Sequence, residues 1–228
     1  VRRLLVAVVR VWRHHDTDDP GLIGDAFTAR GFELDVELLD ALNPPTPLDG
    51  VDVLLILGSS SSVYDPAAQQ AWLANEMSVL GEAIEQGIPV FGICFGSQML
   101  CQHFGGHVER AREGEVGWFE IEPIDGTGIS SGPWFQYHFD HCVLPASATV
   151  VAANPQAVQA FTVGRNVGVQ FHPEVDASQL TDWFLDDEAA RNGTIDAASH
   201  IAEAAASHER LARDADELVA WFLYRLQS

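Results

Sequence analysis

Two short stretches of the chain carry residue types that can do chemistry together. The first runs from Ile88 to Gln98, Ile-Pro-Val-Phe-Gly-Ile-Cys-Phe-Gly-Ser-Gln. Val90 to Ile93 is an apolar run that reads as a buried strand. It ends on Cys94, and a helical pattern opens at Ser97 and continues through Leu100 to Phe104. A cysteine between a strand end and a helix start sits on a sharp turn, its sulfur presented outward beside the first free helical N–H groups. The serine version of this turn is the nucleophile elbow. The second stretch is Gln170-Phe-His-Pro-Glu174. It closes an alternating run of Val167, Val169 and Phe171, so His172 also lies at a strand end. Alternation puts His172 and Glu174 on one side. A free thiol titrates near 8.5, and an imidazole and a helix N-terminus can together lower that value. Histidine can then return the proton to a leaving amine while a carboxylate fixes its tautomer. Cys94, His172 and Glu174 are the set needed for acyl transfer.

Taken singly, each has a plainer reading. A lone buried cysteine is usually inert packing, and an isolated His-Pro-Glu is a stiff turn. The combination, each member at a strand end, is what points to catalysis. Other candidates fall away. His138, His141 and Cys142 lack the paired spacing of a structural zinc site, and the chain has no Cys-x-x-Cys. Gly58-Ser-Ser-Ser-Ser62 has no phosphate-loop lysine. Cys101 reads as core on the helix after Cys94. No metal and no organic cofactor is expected.

The elements that must position these groups alternate. Residues 2–11 read as a first buried strand, Gly21 to Arg30 as a helix stopped by Gly31, Phe32 to Leu39 as a second strand, and Val51 to Leu57 as a third that ends at Gly58. Pro66 to Gln86 reads as a helix, with Trp72, Glu76, Leu80 and Ile84 spaced four apart. This β-α-β-α-β rhythm argues for an open, mostly parallel sheet with helices on both faces. Functional loops in such sheets lie at the carboxyl ends of the strands, which brings the Gly58–Ser62 loop beside Cys94. After residue 106 the segments 107–112, 117–123, 134–139, 148–153, 158–163 and 167–171 are short and strand-like. They are expected to form a small antiparallel extension of the same core. A helical tail follows over 177–190 and 194–226, with Leu211, Leu218, Phe222 and Leu226 as its apolar stripe. The expected fold class is α/β and flavodoxin-like: one domain over 1–228, with a core over 1–176 and a tail over 177–228.

Composition narrows the partners. Thirty-three acidic residues face twelve basic ones, all arginine, for a net charge of −21. Such a surface repels nucleic acid and anionic membranes. Mean hydropathy is +0.03, and no stretch is long enough to span a bilayer. Arg2 and Arg3 precede a short apolar run, but Arg10 breaks it and no small-residue cleavage site follows, so a strand is the better reading than a signal peptide. Three scattered cysteines make no disulfide framework. The expected location is the cytoplasm.

The two stretches resemble those of the class I glutamine amidotransferases, the Cys-His-Glu glutaminases. The family's Gly-x-Cys-x-Gly-x-Gln is matched by Gly92, Cys94, Gly96 and Gln98. Its Gln-x-His-Pro-Glu is matched by Gln170, His172, Pro173 and Glu174. The resemblance covers about residues 4 to 176. It is strongest to stand-alone members similar to the glutaminase domain of GMP synthase, which also carry a match to Ser62-Val-Tyr-Asp65 and a comparable helical tail.

The resemblance implies further roles. The backbone N–H groups of Ser59 and Phe95 would form the oxyanion hole. The family's loop usually reads Gly-Gly-Pro where this chain has Gly58-Ser59-Ser60, and serine fits a left-handed backbone less readily than glycine. Gly58, Gln98, Trp118 (in Glu115-Val-Gly-Trp118), His138 and Asp140 (in His138-Phe-Asp140) would contact substrate, with Asp140 receiving its α-ammonium. The implied substrate is glutamine or another γ-glutamyl amide, such as a γ-glutamyl amine or peptide. The implied partner is a separate acceptor synthetase subunit. A non-catalytic or conditionally active binding subunit is the alternative from another class, and Ser59 is its main support.

Overall fold

The computed structural model describes residues 6–65, 72–124 and 126–227. Arg2, Arg3 and the start of the expected first strand, and the first turn of the expected 66–86 helix, lie outside the described residues. The element order is β1 (Val8–Arg13), α1 (Gly21–Thr28), β2 (Glu33–Leu38), β3 (Val53–Ile56), α2 (Ala74–Glu85), β4 (Val90–Ile93) and α3 (Phe95–His103). It continues through β5 (His107–Phe119), β6 (Glu122–Pro123), β7 (Trp134–Val143), β8 (Thr149–Ala153), β9 (Val158–Val163) and β10 (Asn166–Val169). The tail is α4 (Ala177–Asp186), α5 (Glu188–Arg191), α6 (Ala197–Ala206) and α7 (His208–Arg225).

The main sheet has the order β2-β1-β3-β4-β10-β9-β8-β6. Its first five strands run parallel, and β9, β8 and β6 continue it antiparallel. The central strands β3, β4 and β10 are buried along their whole length, as strands covered on both faces must be. Period-two alternation divides their side chains between two apolar layers. Val9, Val11, Leu55, Phe91 and Ile93 face α1 and α7, where Phe222 meets Phe27 and Phe91 edge-on. Trp12, Leu54, Ile56 and Val90 face the other way, toward Leu80 of α2 and Met99 and Leu100 of α3. The fold is the flavodoxin-like α/β arrangement.

Four expectations are corrected. Segment 167–171 is not simply part of the antiparallel extension, because β10 pairs parallel with β4 and only its other edge pairs antiparallel, with β9. The segments 107–112 and 117–123 are not two strands. β5 runs unbroken from His107 to Phe119 and pairs with β7 in a separate two-stranded sheet, with a register shift between Arg110 and Glu115. Its middle is charged and exposed, so hydrophobic patterning had nothing to report there. Helix α3 begins at Phe95, directly after Cys94, rather than at Ser97. The tail is broken twice more than its composition suggests. Asp187 is extended and its Oδ1 accepts from the Ala190 N–H, ending α4 and capping α5. Ser207 separates α6 from α7.

Candidate active site

Cys94 occupies the turn between β4 and α3 at φ 49 and ψ −102. Among the described residues it is the only non-glycine at positive φ, and such outliers collect at functional turns. The turn is pinned on both sides. Cys94 N–H donates to Val169 O of β10 at 2.8 Å, and its carbonyl accepts from Ser97 Oγ at 2.7 Å and Gln98 N–H at 3.1 Å. Gly92 and Gly96 let strand and helix approach this closely. A Cβ on Gly92 would lie 2.5 Å from Gly96 C, and one on Gly96 would lie 2.3 Å from Ile56 O.

His172 is delivered by the neighbouring strand β10. Its N–H donates to Phe135 O at 2.9 Å, and the Trp183 ring stands edge-on to it at 5.0 Å. His172 Nδ1 lies 2.7 Å from Glu174 Oε1, with both side chains buried. That leaves the other ring nitrogen on the side of Cys94, whose sulfur influences the ring's charge. The Glu174 turn is braced in its turn by α1. Leu22 N–H donates to Glu174 O at 2.9 Å, and a Cβ on Gly21 would sit 2.1 Å from that oxygen. Gln170 Nε2 donates to Cys94 Sγ at 3.5 Å.

Burial works against charge on the His172 ring. The Glu174 carboxylate and then the Cys94 sulfur overcome it and push the imidazole up from 6.5 to about 10. A raised value for a base means that its proton is held below the shifted value and lost above it. In a ¹H–¹⁵N titration His172 is therefore expected to stay doubly protonated through neutral pH and to lose its proton only as the pH approaches about 10. Glu174→Gln should bring that midpoint down, since it removes the largest upward influence.

The triad opens into a cavity of about 530 Å³. Gly58, Ser59, Cys94, Phe95, Gln98, His138, Asp140 and His172 all line it. The loop after β3 is beside the elbow, since a Cβ on Gly58 would lie 3.1 Å from His172 Cε1 and 3.8 Å from Cys94 Cβ. Neither Gly58 nor Ser59 has positive φ, so serine at 59 imposes no left-handed strain. The Asp140 carboxylate accepts from Ser62 Oγ, and from Tyr64 OH at 2.5 Å, and so ties the loop to β7. His138 Nδ1 lies 3.0 Å from Asp140 O and its Nε2 lies 3.1 Å from Glu115 Oε2. Glu115 is fully buried and accepts from Asn154 Nδ2 and Gln159 Nε2. Carboxylates of Asp18, Asp140, Asp182 and Asp187 share the cavity wall with the Arg110 guanidinium. Burial pushes the Asp18 carboxyl up, and His14 pulls it partly back. A wall carrying both signs suits a zwitterion.

Trp118 is not brought to this site. Its ring packs edge-on against Phe135 at 5.3 Å, away from the cavity wall. One residue that sequence reasoning passed over is present instead. His14, read only as the start of a polar loop, lines the cavity and pairs with Glu76. The signal was Glu76 itself, a charged residue standing on an apolar helical stripe. Among the described residues no three His, Cys, Asp or Glu side chains converge as a metal site, and no helix is long and apolar enough to cross a membrane.

This is a flavodoxin-like α/β sheet with a cysteine on a strand–turn–helix elbow and a His–Glu pair on the adjacent strand. The sequence profile of the family Glutamine amidotransferase class-I matches residues 22–191, and the chain belongs to that family. It is 32% identical over 155 residues to the GMP synthase [glutamine-hydrolyzing] of Desulfotalea psychrophila, covering 63% of this chain and 27% of that protein. It is 33% identical over 108 residues to the protein of the same name from Klebsiella pneumoniae, covering 40% and 21%. The chain thus spans about a quarter of the length of these relatives. A glutamine amidotransferase structure from Thermotoga maritima superposes with a TM-score of 0.85 at 28% identity, covering 95% of this chain and 97% of that one. One from Methylobacillus flagellatus gives 0.80 at 20% identity, covering 97% and 95%, and so shares the fold.

Proposed function

We propose that the chain is a cysteine amidohydrolase that cleaves the side-chain amide of glutamine or of a close γ-glutamyl amide. The observation that carries the reading is Cys94 at positive φ on its elbow, beside a buried His172 whose Nδ1 is 2.7 Å from Glu174. Cys94 Sγ attacks the amide carbon. The carbonyl oxygen becomes an oxyanion, received by the N–H groups of Ser59 and Phe95. His172 gives its proton to the departing nitrogen, which leaves as ammonia or an amine. The γ-glutamyl thioester that remains is attacked by water, with His172 as base, and glutamate leaves as the thiol re-forms. Glu174 holds the imidazole in place throughout. No metal or organic cofactor enters these steps.

Gln98 and Asp140 line the same cavity and are the residues proposed to receive the substrate's amino-acid group. Asp140 already accepts two hydroxyls, yet a carboxylate has about four lone-pair sites, so room remains for an ammonium. Relatives named GMP synthase [glutamine-hydrolyzing] devote most of their length to something other than the matched region, which supports delivery of the ammonia to a synthetase unit. Three free cysteines suit a reducing compartment such as the cytoplasm. Serine at 59 is not at positive φ, which supports a loop able to present its N–H without left-handed strain.

The test is a screen of glutamine and a panel of γ-glutamyl amines and peptides for release of ammonia or amine. A glutamine-like chloroketone is run alongside, with mass spectrometry of the product. Turnover of at least one amide and an adduct on Cys94 are expected. Failure of the whole panel, or an adduct elsewhere, would sink the proposal.

A further inference from the structure

The triad is not the only buried histidine–carboxylate pair at this end of the sheet. His14 follows β1 and Gly58 follows β3, and the register Trp12↔Ile56 sets these two positions level across the parallel pair. His14 Nδ1 lies 2.8 Å from Gly58 O. A carbonyl can only accept, so Nδ1 carries the proton. Nε2 lies 3.0 Å from Glu76 Oε2, with the two side chains only 4% and 1% exposed. Any apolar residue would fill the stripe at position 76. A buried carboxylate there is costly and needs a reason.

We propose that His14 and Glu76 are a positioning pair that holds the Gly58–Ser59 peptide in the orientation the oxyanion hole requires. The inference rests on the amidohydrolase reading above. In a planar trans peptide the C=O and N–H point in opposite directions. Anchoring Gly58 O on His14 therefore fixes where the Ser59 N–H points, and a flipped peptide would forfeit that bond. The same ring stands edge-on to Phe95 at 5.0 Å, the residue whose N–H is the second donor. Trp72 closes over it at 5.2 Å. One imidazole thus touches both arms of the hole, and Glu76 fixes the imidazole. The Nδ1–H bond to Gly58 O polarises that peptide and so strengthens the Ser59 N–H as a donor, while Glu76 holds the ring in place. This stabilisation grows only as the oxyanion forms, so its loss lowers kcat and leaves KM nearly unchanged.

The experiment compares wild type with His14→Leu, His14→Asn and Glu76→Ala. Substrate is whichever γ-glutamyl amide the wild type turns over. A second readout is alkylation of Cys94 by iodoacetamide, a displacement at a methylene carbon that builds no oxyanion. His14→Leu and Glu76→Ala should lower kcat roughly 10- to 100-fold at near-constant KM, with alkylation within about twofold of wild type. His14→Asn, which places an amide donor near the position of Nδ1, should recover much of the loss. A kcat within about twofold of wild type for His14→Leu or Glu76→Ala would overturn the proposal. So would alkylation that falls in parallel with kcat, because the damage would then lie at Cys94 or His172. Histidine ¹⁵N spectra of the wild type read the pair without turnover. A protonated His14 Nδ1 at neutral pH is expected, and an unprotonated one overturns the pair. A wild type inert toward every amide would instead fail the amidohydrolase reading, and the spectrum would still decide the pair.

Discussion

Cys94→Ala is expected to reduce amide turnover by roughly 10³-fold or more, to whatever the oxyanion donors and binding alone can sustain. The alanine has no lone pair to form the thioester, so the two-step route closes completely. His172→Gln should cost about as much, and the double variant little more than either alone, because nucleophile and base act as a unit. Glu174→Gln should cost less than Cys94→Ala while remaining severe. Its role is to hold a ring whose residue is also anchored through its backbone on the Phe135 carbonyl and which packs edge-on with Trp183. Single-turnover and steady-state rates for the four variants on one amide check this. An intact rate for Cys94→Ala would place the nucleophile elsewhere. Equal losses for Glu174→Gln and Cys94→Ala would mean that the carboxylate does more than orient. The fold should survive all of these, since Cys94 and His172 are anchored by backbone bonds that the substitutions leave in place.

The triad was legible in the sequence because its signals are local. Cys94 ends an apolar run and is bracketed by Gly92 and Gly96, and His172 and Glu174 are two apart on a strand end. The parallel core was legible for the same reason at β3 and β4, short apolar runs buried on both faces, whereas β10 reads as part of the antiparallel extension until its pairing with β4 makes it the fifth parallel strand. What stayed hidden depends on partners far along the chain. β5 crosses a charged, exposed stretch and is a strand only because β7 pairs with it. The break at Asp187 follows from its cap on Ala190 N–H and from Tyr137, whose hydroxyl donates to the same carboxylate. His14 and Glu76 lie 62 positions apart, and only the misplaced charge on the 72–84 stripe hinted at a partner. Trp118 matched a family segment in sequence but spends its ring on Phe135. Ser59 looked like strain by motif, yet a motif records residue types and not φ.

Gly96→Ala is expected to damage both the fold and the site. The added Cβ would lie 2.3 Å from Ile56 O and 2.8 Å from Ile56 Cβ, so neither rotamer choice nor a flexible side chain can relieve it. Helix α3 and strand β3 must separate. Overpacking of this kind costs about 1–3 kcal/mol, occasionally more, and here the displaced atoms are backbone in the middle of a sheet. The damage reaches function by a short path. Ile56 ends β3, Gly58 follows it, and Gly58 lies against Cys94 and His172. Pushing β3 away widens the gap between the Ser59 and Phe95 N–H groups, so turnover should fall further than stability explains. Gly81→Ala is the matched control. Position 81 is inside helix α2 with only ordinary contact to His103 at 3.4 Å. There the methyl should raise stability by up to about 1 kcal/mol through helix propensity and leave turnover alone. Denaturant midpoints and kcat for the two variants, measured in parallel, separate the effects. If Gly96→Ala melted with wild type and kept its kcat, the Gly-x-Cys-x-Gly spacing would not be set by this strand–helix approach. The glycines at 92 and 96 have ordinary φ, so conformational freedom offers no second explanation for them. Their work is to let Cys94 sit at the meeting point of a strand and a helix that side chains would hold apart.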